Sequence, residues 1–318
     1  MTRLPMRDVV IIGGGLSGLA AAYELEKQQI DYTLIEVKRH LGGSIRSVSR
    51  DGFIMDAGPF AIADDLPGDW MAELDLAQAT IPLQNKAVIF KEGTQKLVDA
   101  IVRRLNGPRM MRMAVSSLGQ LGQRYTICLE NGLMLDAKSL IIASPARYAE
   151  RMLYNLAPEV ADMLRTYHYD SIHRLSLGYP TAELPDLEAP GDAAYAFIYE
   201  THDDARTPEG YSLLHFGLRF SQACQPEALI GLLRQTFNMA EPAAFYDGFW
   251  QEADALSSYD DTHDQRVRDM RAQLPDGIAL IGSDYCMEPP RYEGVHRLSE
   301  RIQQGRDAAR SMIDYIKA

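Results

Sequence analysis

The 318-residue chain contains little cysteine, and Cys128, Cys224 and Cys286 are scattered without a CxxC spacing. This excludes a disulfide framework and a cysteine-based structural metal site, so we expect a reduced, cytoplasmic protein. The seven histidines are equally dispersed and form no HxxxH pair. The sequence therefore predicts no metal site.

Positive charge is also scarce, since 32 Lys and Arg residues face 44 Asp and Glu residues and the net charge is −12. The absence of a basic run argues against nucleic acid or an anionic membrane surface as a partner. No apolar run approaches about 18 residues, so no membrane-spanning segment is predicted. The N-terminus enters the first strand almost directly, so we expect no cleaved signal. A hydrophobic content of 46% is enough for two joined domains.

A glycine-rich stretch near the N-terminus, VVIIGGGLSGLAAAYELE, reads as strand, tight turn and helix. Gly13 allows the turn, Gly15 lets a pyrophosphate approach the backbone, and Gly18 allows close packing of helix and strand. The N–H groups of Leu16 and Ser17 belong to the helix N-terminus, which attracts negative charge. This pattern predicts a Rossmann-like dinucleotide-binding domain.

The next aliphatic run, YTLIE, ends at Glu36 about 20 residues after the turn, where a carboxylate accepts hydrogen bonds from a ribose. Glu36 argues against a 2′-phosphate, although Lys38 and Arg39 leave NADP open. A second glycine pair follows at Gly42-Gly43, where a further loop could fold back over the pyrophosphate. Plain NAD dehydrogenases lack such an element.

Two segments, LGGSIRS at 41–47 and DAGP at 56–59, carry a family resemblance. Together with the glycine-rich turn and the acidic strand end, they resemble the flavin amine oxidase and protoporphyrinogen oxidase superfamily, most closely the latter branch. The resemblance implies FAD as cofactor and places residues 58–61 near the isoalloxazine ring. It also implies an α/β fold, in which a Rossmann-like FAD-binding domain adjoins an α+β substrate domain built on an antiparallel sheet.

The chain departs from the family at three positions. His40 and Phe60 stand where the family usually has a basic residue, and Ser44 replaces a bulky or basic one. We expect FAD binding to survive these changes and the substrate preference to differ. The chain is also short for this branch, with only a small lid where relatives hold a long insertion.

The family order implies a division of the chain. Residues 1–75, 108–147 and 273–318 form the FAD-binding domain, 76–107 a lid or helical connection, and 148–272 the substrate domain. The middle of the chain predicts a strand at Val115, a hairpin turn at Asn131-Gly132 with a further strand at 140–143, and a helix near 157–167. Val115 matches the position that reads adenine, or it is an ordinary strand residue.

The C-terminal segment resembles the flavin motif of the family, with a strand over 277–285 and a long helix over 292–312. By this resemblance Asp284 hydrogen-bonds the ribityl or phosphate end, and Val295 and the helix N-terminus face the flavin pyrimidine. Asp284 is alternatively a simple helix-entry or turn residue.

Arg174 is the candidate catalytic residue, on a strand predicted over 171–179. It aligns with a lysine that amine oxidases place near flavin N5, and a guanidinium there could bind a substrate carboxylate bidentately. The alternative is a structural ion pair or a solvated residue. His173 points to the opposite face and is expected to be structural.

These observations define one cofactor site. Its predicted FAD-binding residues are Gly13, Gly15, Leu16, Ser17, Gly18, Glu36, Val37, Gly43, Ser44, Gly58, Pro59, Phe60, Ala61, Val115, Ser283, Asp284 and Val295. The favoured function is an FAD oxidoreductase that takes a hydride from a C–H next to nitrogen in a small molecule, with oxygen or another acceptor. Tetrapyrrole desaturation, a flavoprotein isomerase and a non-catalytic flavin-binding protein stay open. The sequence does not indicate the oligomeric state.

Overall fold

The computed structural model describes residues 5–83, 86–185, 187, 195–203, 205–219, 224–255, 262–288, 291–292 and 295–318. For residues 170, 251–255 and 291–292 it describes the backbone alone. Within these ranges, no helix is both long and apolar enough to cross a membrane.

A seven-stranded sheet forms the cofactor side of the molecule, in the order β8-β2-β1-β11-β10-β9 with β16 beside β11. Strands β8, β2, β1, β11 and β16 run parallel, and β10 and β9 complete an antiparallel meander. The bounds are β1 Arg7–Ile12, β2 Tyr32–Glu36, β8 Arg109–Met111, β9 Val115–Leu121, β10 Arg124–Leu129, β11 Met134–Ile142 and β16 Ile278–Leu280.

Helices cover both faces of this sheet, which explains why its central strands are continuously apolar. On β1, Val9 and Ile11 pack toward one helical layer, and Val10 and Ile12 toward the other. The first layer contains α1 Leu16–Lys27, α3 Gln95–Val102 and α8 Ser299–Lys317. The second contains α4 Ala146–Leu153, α5 Pro158–Arg165 and α7 His263–Gln273.

A second, four-stranded antiparallel sheet has the order β13-β14-β12-β15. Its strands are β12 Tyr169–Pro180, β13 Tyr195–Thr201, β14 Tyr211–Arg219 and β15 Ala244–Ala255. Helix α6, Pro226–Phe237, packs on the face that carries Leu175 and Leu177. The predicted antiparallel sheet backed by a helix is confirmed, and its role on the substrate side stays a prediction.

Smaller elements lie between the two sheets. A hairpin joins β3 Ser47–Arg50 to β4 Phe53–Asp56, and a five-stranded sheet has the order β17-β18-β5-β7-β6. Its strands are β5 Ile62–Ala63, β6 Thr80–Leu83, β7 Ala87–Phe90, β17 Arg291–Tyr292 and β18 Val295–His296, and α2 spans Gly68–Glu73. The division of the chain into domains stays a prediction.

Three predicted elements have different bounds in the structure. The strand expected over 277–285 covers only Ile278–Leu280, as β16, and a 3-10 turn follows at Ser283–Tyr285. The strand expected at 140–143 is the end of β11, which runs unbroken from the confirmed hairpin to Ile142. The helix expected from 292 begins at Ser299, because Val295-His296 forms a strand instead. The His296 N–H donates to the Ala61 carbonyl at 2.8 Å, and this pairing keeps Val295-His296 extended.

Candidate functional site

The first glycine turn has the geometry of a phosphate cradle. Gly13 has φ +111°, and a Cβ there would overlap the Ala143 carbonyl oxygen. A Cβ at Gly18 would overlap the Gly13 carbonyl oxygen, whereas a Cβ at Gly15 would meet no heavy atom within 4 Å. Two glycines are thus required by the fold, and Gly15 leaves open space at the helix N-terminus.

The second glycine pair folds back over this turn. The Gly42 N–H donates to the Gly14 carbonyl at 2.7 Å, and a Cβ at Gly43 would lie 3.2 Å from the Gly15 Cα. The chain continues through Ser44, whose carbonyl lies so close to Gly58 that a side chain there would overlap it. The two glycine loops therefore enclose the space in front of Gly15.

Glu36 is buried and already bonded to the turn. Its Oε2 accepts the Gly14 N–H at 2.7 Å, and its Oε1 accepts the Lys38 N–H at 2.7 Å. A carboxylate has about four acceptor positions, so these bonds leave room for a ribose hydroxyl. The ribose contact predicted for Glu36 stays a prediction.

Two predicted FAD-binding residues, Val37 and Val115, lie near the end of β2. Val37 is 61% exposed beyond the end of β2. The Met113 N–H donates to the Glu36 carbonyl at 3.0 Å, which brings the segment before β9 alongside, and half-buried Val115 opens that strand. The adenine contact predicted for Val115 stays a prediction.

The residues present fit a bound dinucleotide. Besides the open space at Gly15, the Ser144 hydroxyl is buried without a hydrogen-bond partner two residues beyond the end of β11. A buried hydroxyl without a partner is unfavourable and indicates a polar group that completes it. Both features lie at the carboxyl ends of parallel strands, where ligands bind in α/β sheets.

The buried carboxylate of Asp284 accepts hydrogen bonds from other residues of the protein. Its Oδ2 accepts the Ala146 N–H at 2.8 Å and the Tyr169 hydroxyl at 2.5 Å, and Ser283 donates to its Oδ1 at 3.4 Å. Burial raises the pKa of the Asp284 carboxyl, and these hydrogen bonds partly oppose that rise. Asp284 thus accepts a hydrogen bond from the first residue of α4, and its contact with the ribityl or phosphate end of the cofactor stays a prediction.

Arg174 is buried between the substrate sheet and residues 58–61. Its Nη1 donates to the Gly58 carbonyl at 3.2 Å and lies 3.0 Å from His296 Nε2. Its guanidinium lies 5.4 Å from the centre of the Phe197 ring. Because a guanidinium can only donate, His296 Nε2 accepts, and the imidazole carries its proton on Nδ1.

Alternation along β12 places Arg174 opposite Leu175 and Leu177, which pack on α6. His173 lies on the α6 side, stacked on Phe249 at 4.4 Å. Arg174 therefore faces Gly58 and, in β18, His296.

An aromatic wall, composed of Phe60, Phe197, Tyr199 and His215, lies beside Arg174. Phe60 stacks on His215 at 4.0 Å and meets Tyr199 edge-on at 5.3 Å. Pro59 and Ala61 flank Phe60, and the Ala61 carbonyl is the acceptor that holds β18.

His215 is held in one tautomer by a chain of hydroxyl groups. Ser176 donates to the Asp56 carbonyl at 2.9 Å, so it accepts from His215 Nδ1 at 2.9 Å. The Thr201 hydroxyl is then the donor to His215 Nε2, at 3.2 Å. Burial, assisted by the charge of Arg206, holds the pKa of His215 well below its usual 6.5.

A buried ion pair fixes the approach to the aromatic wall. Arg206 and Asp56 are both inaccessible to solvent, and Arg206 Nη2 also donates to the Ile54 carbonyl at 2.9 Å. Asp56 Oδ1 accepts the Thr94 N–H at 3.1 Å and the Ser47 hydroxyl. Asp56 thereby ties the strand before residues 58–61 to the substrate sheet and to the start of α3.

Sequence reasoning missed part of this site. Phe197 and Tyr199 share β13, but His215, His296 and Arg206 come from three other elements, and no local spacing connects these groups. The alternation in AYAFIYE indicates a strand but not which face meets Phe60. The two groups that sequence reasoning did identify are the glycine turns with Glu36, and residues 58–61 with Arg174 and Val295.

Comparison with known proteins agrees with this geometry. A model of NAD(P)-binding Rossmann-like domains matches residues 11–73, and one of flavin-containing amine oxidoreductases matches residues 64–228, about half of the chain. Coproporphyrinogen III oxidase of Bacillus subtilis (strain 168) is 44% identical over 266 residues, 75% of this chain and 53% of that protein. The chain thus spans about half the length of this curated relative.

Solved structures share the fold. An Exiguobacterium sp. 255-15 protein, provisionally assigned as a protoporphyrinogen oxidase, superposes with a TM-score of 0.78 at 14% identity, over 98% of this chain and 99% of that one. Cyclohexylamine oxidase of Brevibacterium oxydans IH-35A superposes with a TM-score of 0.70 at 14% identity. The superposition covers 99% of this chain and 100% of that one.

These comparisons confirm the predicted fold class, the family resemblance and FAD as the cofactor. The predicted class of enzyme, an FAD-dependent oxidoreductase, is also that of the family. The chain belongs to the flavin-containing amine oxidoreductase family.

Proposed function

We propose that the protein oxidises a small molecule at a C–H bond next to nitrogen, in an amine or a ring CH–NH group, with oxygen as the electron acceptor. One observation carries the proposal: buried Arg174 contacts the Gly58 carbonyl, on the loop that the family resemblance places near the flavin ring. Bound FAD supplies the acceptor for the hydride. The chain must bind the substrate, orient it and exclude water.

Arg174 is proposed to orient the substrate. Its Nη1 contacts with Gly58 and His296 fix the guanidinium plane on the cofactor side of β12. A fixed guanidinium binds a carboxylate bidentately, and this geometry positions as well as attracts it. A substrate with both a carboxylate and an oxidisable C–H next to nitrogen meets these requirements.

The aromatic wall is proposed to hold the apolar part of the substrate. Phe60 and Phe197 are almost fully buried, and Ile81, Leu83 and Val295 pack around them. Such a surface excludes water from the reacting carbon, and a low dielectric strengthens the interaction of Arg174 with an anion. His296 and His215 carry no charge in this arrangement, so neither competes with the arginine.

A second candidate is oxidation of a tetrapyrrole. It is favoured by the 44% identity to coproporphyrinogen III oxidase over 75% of this chain. Arg174 would then bind a carboxylate side chain of the macrocycle. The smaller substrate is preferred because Phe60 and Phe197 pack against each other beside Arg174, with ring centres 6.3 Å apart, and both are almost fully buried.

The test measures which substrates reduce the bound flavin. FAD-loaded protein is mixed anaerobically with primary amines, cyclic secondary amines, their carboxylated counterparts and coproporphyrinogen, and bleaching of the flavin absorbance is followed. We expect carboxylated CH–NH compounds to bleach it fastest and to yield hydrogen peroxide when oxygen is admitted. Conversion without peroxide would favour an isomerase, and no bleaching by any of them would contradict the proposal. The acceptor and a cytoplasmic location stay predictions.

A further inference from the structure

Arg301, in the first turn of α8, is a half-buried cation that the site described above does not use. Its Nε is buried without a hydrogen-bond partner. Within the described part of the chain, Arg301 also has no ion pair within 4.0 Å. Removing part of a guanidinium from water without a hydrogen-bond partner or a close ion pair is unfavourable, so the position points to a ligand that completes it.

The direction of the Arg301 side chain follows from its neighbours one turn along α8. Gln304 Oε1 accepts the Gly282 N–H at 2.8 Å, and a Cβ at Gly305 would overlap the Ser17 carbonyl. Side chains three and four positions apart share a helix face and lean toward the N-terminus. Arg301 therefore extends between the start of α1 and the segment after β16.

The electrostatics of this cleft favour an anion. Burial raises the pKa of both Asp284 and Cys286, and the nearby Arg301 charge partly opposes each rise. The start of α1 carries partial positive charge, and no acidic residue lies in its first turn. Ser144, whose carbonyl accepts the Tyr285 hydroxyl at 3.1 Å, adds its buried, unbonded hydroxyl on the other side of the same segment.

We propose that Arg301 is a cofactor-binding residue that pairs with an anionic oxygen of FAD. The oxygen belongs either to the pyrophosphate or to the pyrimidine side of the flavin, which gains negative charge on reduction. The inference concerns cofactor binding alone and is independent of the substrate proposed above.

The experiment compares Arg301→Gln with Arg310→Gln, which removes the same charge from an exposed site on the same helix. The FAD dissociation constant, the flavin midpoint potential and the melting temperature of the apoprotein are measured for each. If the partner is the pyrophosphate, Arg301→Gln should weaken binding of oxidised FAD about 10- to 100-fold, as for a lost charge-assisted hydrogen bond. Arg301→Lys should restore part of the affinity. A pyrophosphate partner weakens binding of oxidised FAD, whereas a pyrimidine partner leaves that binding intact and lowers the midpoint potential.

The apoprotein separates a cofactor role from a structural one. Because Arg301 forms no ion pair with any residue that the structure describes, Arg301→Gln should leave the apoprotein melting temperature unchanged or raise it. A lower melting temperature would assign Arg301 a structural role and overturn the proposal. Affinity and potential equal to those of Arg310→Gln would overturn it as well.

Discussion

Individual residues in the glycine turn divide into those required by the fold and those required by the ligand. Gly13 and Gly18 have backbone atoms at the place where a Cβ would lie, whereas Gly15 has none within 4 Å. Within six positions, glycine is therefore needed for packing at Gly13 and Gly18 and for ligand space at Gly15. Substitutions at Gly15 and Gly18 should distinguish these two roles.

Gly15→Ala should leave the apoprotein as stable as wild type and weaken FAD binding at least about 10-fold, because the methyl group occupies phosphate space. Gly18→Ala should instead destabilise the apoprotein by about 1–3 kcal/mol, as an overpacked contact does. Urea unfolding and FAD titration of both variants make the comparison. Normal FAD affinity in Gly15→Ala would place the phosphates elsewhere.

Arg174 permits a kinetic prediction. Arg174→Ala should slow anaerobic flavin reduction by the substrate by about 30- to 1,000-fold, corresponding to about 2–4 kcal/mol of lost positioning. FAD content should stay unchanged. Arg219→Ala, on the exposed end of β14, serves as the control and should reduce at the wild-type rate. Equal rates in both variants would leave Arg174 with a structural role.

At the scale of elements, the Asp56–Arg206 pair joins β4 to the loop between β13 and β14. Asp56 also accepts the Thr94 N–H next to α3, so one carboxylate connects three elements. Removing one partner of a fully buried pair leaves the other charge uncompensated, which is strongly destabilising.

Arg206→Met should therefore lower the free energy of unfolding by about 3–5 kcal/mol. Asp75→Asn, which breaks the surface pair between 88%-exposed Asp75 and Arg104, should cost less than about 1 kcal/mol. Chemical denaturation of both variants gives the two values. Similar decreases in the free energy of unfolding of the two variants would show that burial does not make the Asp56–Arg206 pair more important for stability than the surface pair.

For the whole molecule, His215 links stability to pH. Burial lowers its folded pKa below 6.5, so the unfolded chain takes up a proton first as the pH falls. The contribution of His215 to stability is complete above about pH 6.5 and is lost as the pH decreases below it, at up to about 1.4 kcal/mol per pH unit. The raised pKa of Asp284 has the opposite effect on stability. Above about pH 3.8, the usual pKa of an aspartate, the unfolded chain loses this proton first, so the contribution of Asp284 to stability decreases as the pH rises.

Wild type should consequently lose more stability than His215→Gln between pH 7.5 and pH 5.5. Urea unfolding at both values isolates His215, because the other titrating groups are common to the two proteins. Parallel pH dependences would mean that His215 titrates near its usual pKa in the folded protein.

The sequence alone determined the cofactor half of the protein. The turn from Gly13 to Gly18, the acidic end of β2 and the hairpin at Asn131-Gly132 depend on contacts between residues close in the chain, so local spacing reveals them. The expected strand at 171–179 was also right, because alternation along β12 is a local property.

The tertiary structure decided which side chains meet. Helix α8 begins at Ser299 and not at 292 as predicted, because Ala61, far away in the chain, accepts a hydrogen bond from His296. Arg206 met Asp56, and His215 met Phe60, because two sheets pack against the same hairpin and loop. Such contacts depend on long-range packing, and a sequence pattern of period 2 or 3.6 records the buried face of an element but not the partner that covers it.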